Sequence, residues 1–527
     1  MDQETISRKR QLNKGKACFN CRRRKVKCDA KKPICTPCGR FIGGGLQDCE
    51  YTETGPAQSQ ILQEQIAILE SRIQELEQPK ATRKSIGLQN PYTASRPGIS
   101  DVAPGEAAST GRKSFSQALA FFPYARQVGF FLSPQLFEAL SRGIAPSDVA
   151  SLALLDTIYL WGAHLSRSGT VHTSSTHQDG FLSDALRSTA AGLLHASPNT
   201  ILHTIQAELL LAQYFFHNSR ILEGKYHASA ALSISLSSGL HKIRSADVRD
   251  SVRLVMDSFS PAATALEEGE RINAFWAVFA VNNCWLAADG SPADIAYTVV
   301  DTPWPLDIGE YSEDSCTLPL QSRGTIANFL ANFPDRGAST PALHAKAAIL
   351  FEQASRLAAR YTENVGLRAP TAMLSAEFSM LDGVIEAFKT TLTPFEFDGP
   401  QSRLLIHTLV HVATIQLHNP FFFTSDISCT RSRAAAMAVV TLVRQTNLRD
   451  LGYVNAIMGT LWTAACQVFI TELSRTQYGP SERRDIRQLG EVIETLLSAM
   501  SVFSGGCRMI ELQLATAQQK YAAAKRR

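Results

Sequence analysis

The sequence predicts a mainly all-α chain with a small cysteine-built module at its N-terminal end. Three observations carry that expectation. Apolar residues recur at helical spacing through much of residues 115–510, clear period-2 strand runs are absent, and six of the 11 cysteines crowd into residues 18–49. At 527 residues the chain has room for about three domains, or one very large one, at roughly 100–200 residues each. Charged residues make up 19%, below the usual ~25%, so most of the chain should bury a sizeable core. With 32 Gly and 23 Pro it is neither collagen-like nor of low complexity.

Six segments follow in order. Residues 1–15 read as a basic disordered arm, and residues 16–52 hold the cysteines. Residues 61–78 carry a short periodic helix. Residues 79–114 are rich in Pro, Gly, Ser, Thr and Ala with one aromatic, Tyr92. Such a segment buries too little surface to offset its ordering entropy, and it should be a disordered linker. Residues 115–510 are the helical domain, and residues 511–527 a helical, basic tail. The start runs into charge without an apolar stretch, so no signal peptide is expected. The most apolar stretch, residues 453–470, carries Asn455, Thr460, Thr463 and Gln467 and reads as a buried core helix, not a membrane span.

The formal net charge of +4 is unevenly placed. The first 55 residues carry +7 and the remainder −3, and Arg8 to Arg40 holds 13 basic residues against one acid, Asp29. A basic head on a near-neutral body points to a polyanion partner for the head. The same stretch holds Cys18, Cys21, Cys28, Cys35 and Cys38, with Cys49 just beyond. Without secretion, clustered cysteines read as metal ligands before disulfides. Their spacing is Cys-x2-Cys-x6-Cys-x6-Cys-x2-Cys-x10-Cys. A Cys-x2-Cys pair lets one turn present two thiolates to a tetrahedral ion. Six cysteines cannot fill two separate four-cysteine sites, but two zinc ions can each reach four thiolates if two cysteines bridge both. Eight-ligand modules usually need His, and the nearest, His164, is far away. An iron–sulfur cluster would leave two cysteines over and would not account for the cations between them.

Lys16-Ala-Cys-Phe-Asn-Cys-Arg-Arg-Arg-Lys-Val-Lys-Cys-Asp, then Lys32-Pro-Ile-Cys-Thr-Pro-Cys, then Asp48-Cys-Glu-Tyr, resembles the fungal binuclear zinc-cluster transcription factors. The resemblance covers about residues 16–51. It implies two Zn²⁺ held by Cys18, Cys21, Cys28, Cys35, Cys38 and Cys49, with Cys18 and Cys35 bridging. It also aligns Pro33 with the family's loop proline. The last gap, Gly39–Asp48, is longer than the commonest family spacing, and Gly43-Gly44-Gly45 can fold the extra length out.

Arg22, Arg23, Arg24, Lys25 and Lys27 lie between Cys21 and Cys28. If Cys21 opens a short helix, five cations fall within less than two turns, a density that phosphates would compensate. Six thiolates and two Zn²⁺ leave the cluster itself negative, so the binding surface must be Lys and Arg. The resemblance implies that Lys25 contacts a G·C-rich triplet in the major groove, with Arg24 also facing it. Arg22, Arg23, Lys27, Lys31 and Arg40 are candidates for phosphate contacts or plain solvated charges. The basic run, with Arg8-Lys9-Arg10, can also serve as a nuclear-localisation signal.

Leu62, Ile66, Leu69, Ile73 and Leu76 step by four, three, four and three, an a/d seam that favours a parallel two-stranded coil. It predicts a homodimer, with a helix packed on its own domain as the alternative. At about two and a half heptads the isolated coil should be weak. The resemblance makes the body a regulatory domain, and Glu270-Arg-Ile-Asn-Ala-Phe-Trp-Ala-Val-Phe with Gly290-Ser-Pro looks like part of the family's middle homology region.

Two further features stand outside the cysteine cluster and the seam. His407, His411 and His418 share one helical face, but eleven residues rise about 16 Å, too far for one metal, so ordinary core or surface histidines are expected. Residues 272–322 lack Lys and Arg and carry Asp289, Asp294, Asp301, Asp307, Glu310, Glu313 and Asp314 near Trp304 and Tyr311. Such a segment can recruit coactivators, though a surface loop is the simpler reading. The expectation is a nuclear, zinc-dependent, sequence-specific regulator of RNA polymerase II transcription that binds double-stranded DNA and is not an enzyme. The alternatives are a zinc-dependent nuclear scaffold and an enzyme whose helical body carries the main activity.

Overall fold

A computed structural model of the chain describes residues 17–32, 34–40, 49, 119–133, 149–166, 175–194, 200–246, 262–291, 295–312, 319, 321–364, 372–392, 400–475 and 482–526. The expected arm at 1–15, the coil at 61–78, the linker at 79–114 and Pro33 lie outside them. Two compact units are present, one within residues 1–94 and one within 95–527.

The first unit is built on two one-turn helices, α1 (Phe19–Arg23) and α2 (Thr36–Gly39). Each begins directly after the first cysteine of a Cys-x2-Cys pair, which takes the N-cap in extended conformation. A one-turn helix has little cooperativity of its own. What holds it is the cluster: Cys18, Cys21, Cys28, Cys35 and Cys38 are the buried apolar residues among those described in this unit. Asp29 adds a polar tie, accepting from the Thr36 N–H at 3.0 Å and from its hydroxyl. It thereby satisfies a free N–H at the start of α2.

The second unit is helical. Among the described residues there is no strand, and a single isolated bridge joins Ser245 to Ser322. In order come α3 (Ala125–Val128), α4 (Val149–Ser166), α5 (Ser175–Leu194), α6 (Ile201–His217), α7 (Ile221–Ser237), α8 (Ala265–Asp289), α9 (Thr325–Leu330), α10 (Thr340–Asn364), α11 (Ala372–Thr391), α12 (Pro400–His418), α13 (Asp426–Gln445), α14 (Ile457–Leu473), α15 (Glu482–Ser504) and α16 (Arg508–Lys525). Packing runs largely from neighbour to neighbour: α4 lies on α5 and α6, α6 on α7, α7 on α8, α8 on α10, α10 on α12, and α12 on α13 and α14. The last two helices, α15 and α16, pack on α14 and on each other. No helix is long and apolar enough to cross a membrane.

Local chemistry sets the ends. Thr264 caps α8 by accepting from the Glu267 N–H at 3.1 Å, with Glu267 and Glu268 in the first turn, where negative charge is favoured. Gly290 ends it in left-handed conformation. Inside α8, Gly269 is where the Tyr311 ring lies: a Cβ there would come within 2.4 Å of it.

α6 is buried at every position except Ile201 and His203, so its polar groups need internal partners. Gln206 accepts from the Phe131 N–H at 2.8 Å and donates to the Gly129 carbonyl at 3.2 Å. Glu208 meets His227 at 2.6 Å, and His217 meets His164 at 3.0 Å. On α8, the Trp276 indole donates to the Pro303 carbonyl at 2.8 Å and stacks on Trp304.

The acidic-aromatic segment is folded into this core. Trp304 and Tyr311 are buried, and the Tyr311 hydroxyl accepts from the Leu306 N–H at 2.8 Å and lies 3.2 Å from the Asn273 carbonyl oxygen. Asp301 is 4% exposed and accepts from Ser245 at 2.5 Å and from the Gly324 N–H at 2.7 Å. Asp289 pairs with Lys225, and Asp307 and Glu310 close a capping box. Asp301 and the Asp307–Glu310 box hold connections in place, while Asp289 and Glu310 remain exposed. Asp294, Glu313 and Asp314 lie outside the described residues.

Candidate metal centre and nucleic-acid interface

The six cysteine sulfurs form two overlapping sets of four. Cys18, Cys21, Cys28 and Cys35 make one, and Cys18, Cys35, Cys38 and Cys49 make the other; within each set the sulfurs lie within 4.8 Å of one another. Cys18 and Cys35 belong to both. The Sγ atoms of Cys18 stand 3.7 Å from those of Cys35 and Cys38, and Cys21 stands 3.6 Å from Cys35. Four thiolates at about 2.3 Å from one zinc ion stand about 3.8 Å apart along each tetrahedral edge. The donor set and its spacing therefore fit two four-sulfur sites with two shared ligands.

Backbone N–H groups point at the sulfurs. Cys21 N–H reaches Cys18 Sγ at 3.4 Å, Ala30 N–H reaches Cys28 Sγ at 3.4 Å, and Cys35 N–H reaches Cys49 Sγ at 3.2 Å. Such donors favour thiolate over thiol. Burial nevertheless pushes the Cys18, Cys21 and Cys35 thiols upward. Burial acts upward on Cys28 too, but hydrogen bonds bring it down to about 7. Without a cation, then, Cys18, Cys21 and Cys35 keep protons that metal binding must displace.

The cations lie on the outside of this frame. Arg22, Arg23, Arg24, Lys25 and Lys27 are all exposed. The helix begins at Phe19, earlier than the sequence suggested, because Cys18 is its N-cap; the cations thus fall on its last turn and beyond. Arg22 and Arg23 occupy that last turn, where positive charge suits the C-terminal carbonyls, and Arg22 Nε also donates to the Ala17 carbonyl at 2.9 Å.

Lys25 occupies a constrained position. Its N–H reaches the Arg22 carbonyl at 3.2 Å, and the Val26 N–H reaches the Cys21 carbonyl at 3.0 Å. This pair of bonds closes a Schellman turn, whose left-handed position glycine usually fills. Lys25 holds it at φ 54°. The basic run was legible in the sequence; the turn that holds Lys25 was not, nor was the Asp29–Thr36 tie.

The histidines do not gather. His418 bonds Ser428 at 3.0 Å and Asp382 at 3.2 Å, and burial drives His411 down to about 3. Among the described residues, the groups able to hold a metal are the two cysteine sets.

Comparison with known proteins gives the same division. Residues 16–56 match the fungal Zn(2)-Cys(6) binuclear cluster domain, and residues 120–331 match the fungal specific transcription factor domain. The chain matches the fungal zinc-cluster transcription factor family. The cluster domain of this family binds two zinc ions, and the paired sulfur sets are consistent with that load. Two similar proteins come from Aspergillus fumigatus. The transcription factor sphG is 32% identical over 145 residues, 26% of this chain and 19% of that protein. The C6 finger domain transcription factor hasF is 55% identical over 40 residues, 8% of this chain and 5% of that protein. The zinc finger transcription factor YRR1 of Saccharomyces cerevisiae is 36% identical over 81 residues, 13% of this chain and 10% of that protein. The aligned stretches thus span a fifth or less of each relative. No solved structure matches the chain. The transcription-factor domain match ends at residue 331, whereas the helical packing continues through α16.

Proposed function

We propose that this chain is a zinc-dependent, sequence-specific DNA-binding regulator of RNA polymerase II transcription that acts in the nucleus and is not an enzyme. The observation that carries the reading is the pair of four-sulfur sets sharing Cys18 and Cys35, with a run of exposed cations beside them. Two zinc ions fix the short helices, and their net charge with six thiolates is negative. Attraction to DNA therefore comes from the Lys and Arg side chains.

In this reading Lys25 donates to guanine O6 and N7 of a G·C-rich half-site in the major groove, with Arg24 beside it. Arg22, Arg23 and Lys27 contact phosphates and set the register. The seam Leu62, Ile66, Leu69, Ile73 and Leu76 joins two copies, so that paired half-sites are read together.

Full-length, zinc-loaded protein is titrated with labelled duplex DNA by fluorescence anisotropy at increasing salt, with and without a zinc chelator. The account expects affinity to fall steeply with salt, by a slope of about 0.9 per phosphate neutralised, and to vanish on chelation. DNA binding that ignores both salt and chelator would favour the scaffold reading instead.

A further inference from the structure

A cavity of about 410 Å³ lies inside the helical unit. Phe130, Phe131, Trp276, Val281, Leu405 and Met458 give it apolar walls. They come from both the stretch that matches the transcription-factor domain and the helices that follow it. Its size is that of a small-molecule site, and its lining of aromatic and aliphatic groups with a few polar ones is the usual composition of such sites.

The polar groups decide what kind of molecule fits. Gln213 lines the cavity, is 3% exposed, and its Oε1 has no hydrogen-bond partner among the described residues. A buried amide oxygen left without a donor is costly, and a ligand O–H or N–H would relieve it. His344 also lines the cavity; burial pushes it down to about 4, so it is neutral at physiological pH. The charged lining residues Arg126 and Asp307 are exposed and half-buried, one of each sign, so they favour neither an anion nor a cation.

The wall that carries Arg126, Phe130 and Phe131 is rigid. Gly129 ends α3 at φ 99°, the Phe130 N–H closes on the Ala125 carbonyl at 2.8 Å, and Gln206 clamps the next residues from α6. A cavity with such a fixed wall is ready for a ligand before one arrives.

We propose that this cavity is a binding site for a neutral, ring-bearing small molecule that carries at least one O–H or N–H donor. The site belongs to the helical unit and does not depend on the DNA-binding reading. Because its walls join the two halves of that unit, occupancy ties them together, and the ligand stabilises the domain by mass action.

The test uses full-length, zinc-loaded protein and N-phenyl-1-naphthylamine, a neutral fluorescent probe with one N–H. The expected result is saturable binding at one site per chain. Ala277→Phe, which fills the cavity from α8, should weaken it at least tenfold with the far-ultraviolet circular dichroism unchanged. Displacement of the probe by diphenyl ether, which lacks the N–H, should be at least fivefold weaker than by diphenylamine in the native chain, and equal in Gln213→Leu. No saturable binding, or binding undiminished by Ala277→Phe, overturns the proposal. Should Ala277→Phe fail to fold, hydrogen exchange on the native chain decides. Protection on probe binding at residues 126–133 and 451–458 supports the site, and its absence there overturns it.

Discussion

At the scale of single residues, the two bridging cysteines separate from the other four. Cys18 and Cys35 sit in both sulfur sets, whereas Cys49 sits in one. Cys18→Ser should therefore cost both zinc ions and Cys49→Ser about one, read as bound zinc per chain by elemental analysis. Equal losses would mean that the sets do not share ligands. Lys25 allows stability and recognition to be uncoupled. Its left-handed backbone makes Lys25→Gly a conformational relief of roughly 0.5–1 kcal/mol, so the variant should resist chelation at least as well as the native chain. In the helical unit, burial holds His344 near 4 and His411 near 3, and Lys389 and His407 add repulsion at His411. Both values lie below the ordinary 6.5, so the unfolded chain binds protons first. The stability these groups contribute is full above pH 6.5 and is lost as pH falls toward 4, on the order of 1 kcal/mol per pH unit for each. Urea unfolding followed by tryptophan fluorescence, which reports this unit alone, should show that slope. The double variant His344→Gln, His411→Gln should flatten it.

At the scale of elements, several helices were legible from apolar residues recurring at helical spacing. The stretches read at 151–166, 201–216 and 401–418 lie within α4, α6 and α12 to within a residue or two. The helices α5, α7 and α11 gave no such signal, whereas the tail at 511–527 was expected to be helical and lies mostly in α16. α7 is rich in Ala and Ser and leaves Leu222 84% and Tyr226 69% exposed, so its apolar residues do not mark its buried side. α16 is mostly small and polar residues, yet it buries Met509, Ile510, Ala517 and Tyr521 against the preceding helices. The boundary expected at 510 therefore falls inside a helix that belongs to the domain. Deleting residues 508–527 should cost several kcal/mol, since burying a Met or Ile side chain alone contributes roughly 1.5–3. A truncated chain with an unchanged urea midpoint would show that α16 merely decorates the surface. The cysteine spacing was legible for a different reason: metal ligation demands particular residues at particular intervals, whereas core packing accepts many.

At the scale of the whole molecule, a modest net charge conceals two units with separate work. The first spends its cysteines on a frame and its cations on a surface; the second buries Trp161, Trp276 and Trp462 in a helical core. The cavity could not be read from the sequence, because its walls come from positions more than 300 residues apart, such as Arg126 and Met458. Pairing of two copies through residues 62–76 predicts that Ile66→Asp with Ile73→Asp abolishes cooperative occupancy of paired half-sites while single half-sites still bind. Unchanged cooperativity in a gel-shift titration would remove the coil from the account. The central claim is that a zinc-built turn aims Lys25 at DNA bases. It is tested most directly by selecting binding sites from a random duplex library with full-length, zinc-loaded protein, native and Lys25→Ala. The account predicts a G·C-rich motif for the native chain and a relaxed motif for the variant, with a loss of about 1–3 kcal/mol on the native site. The same motif, enriched to the same depth by both proteins, would contradict it.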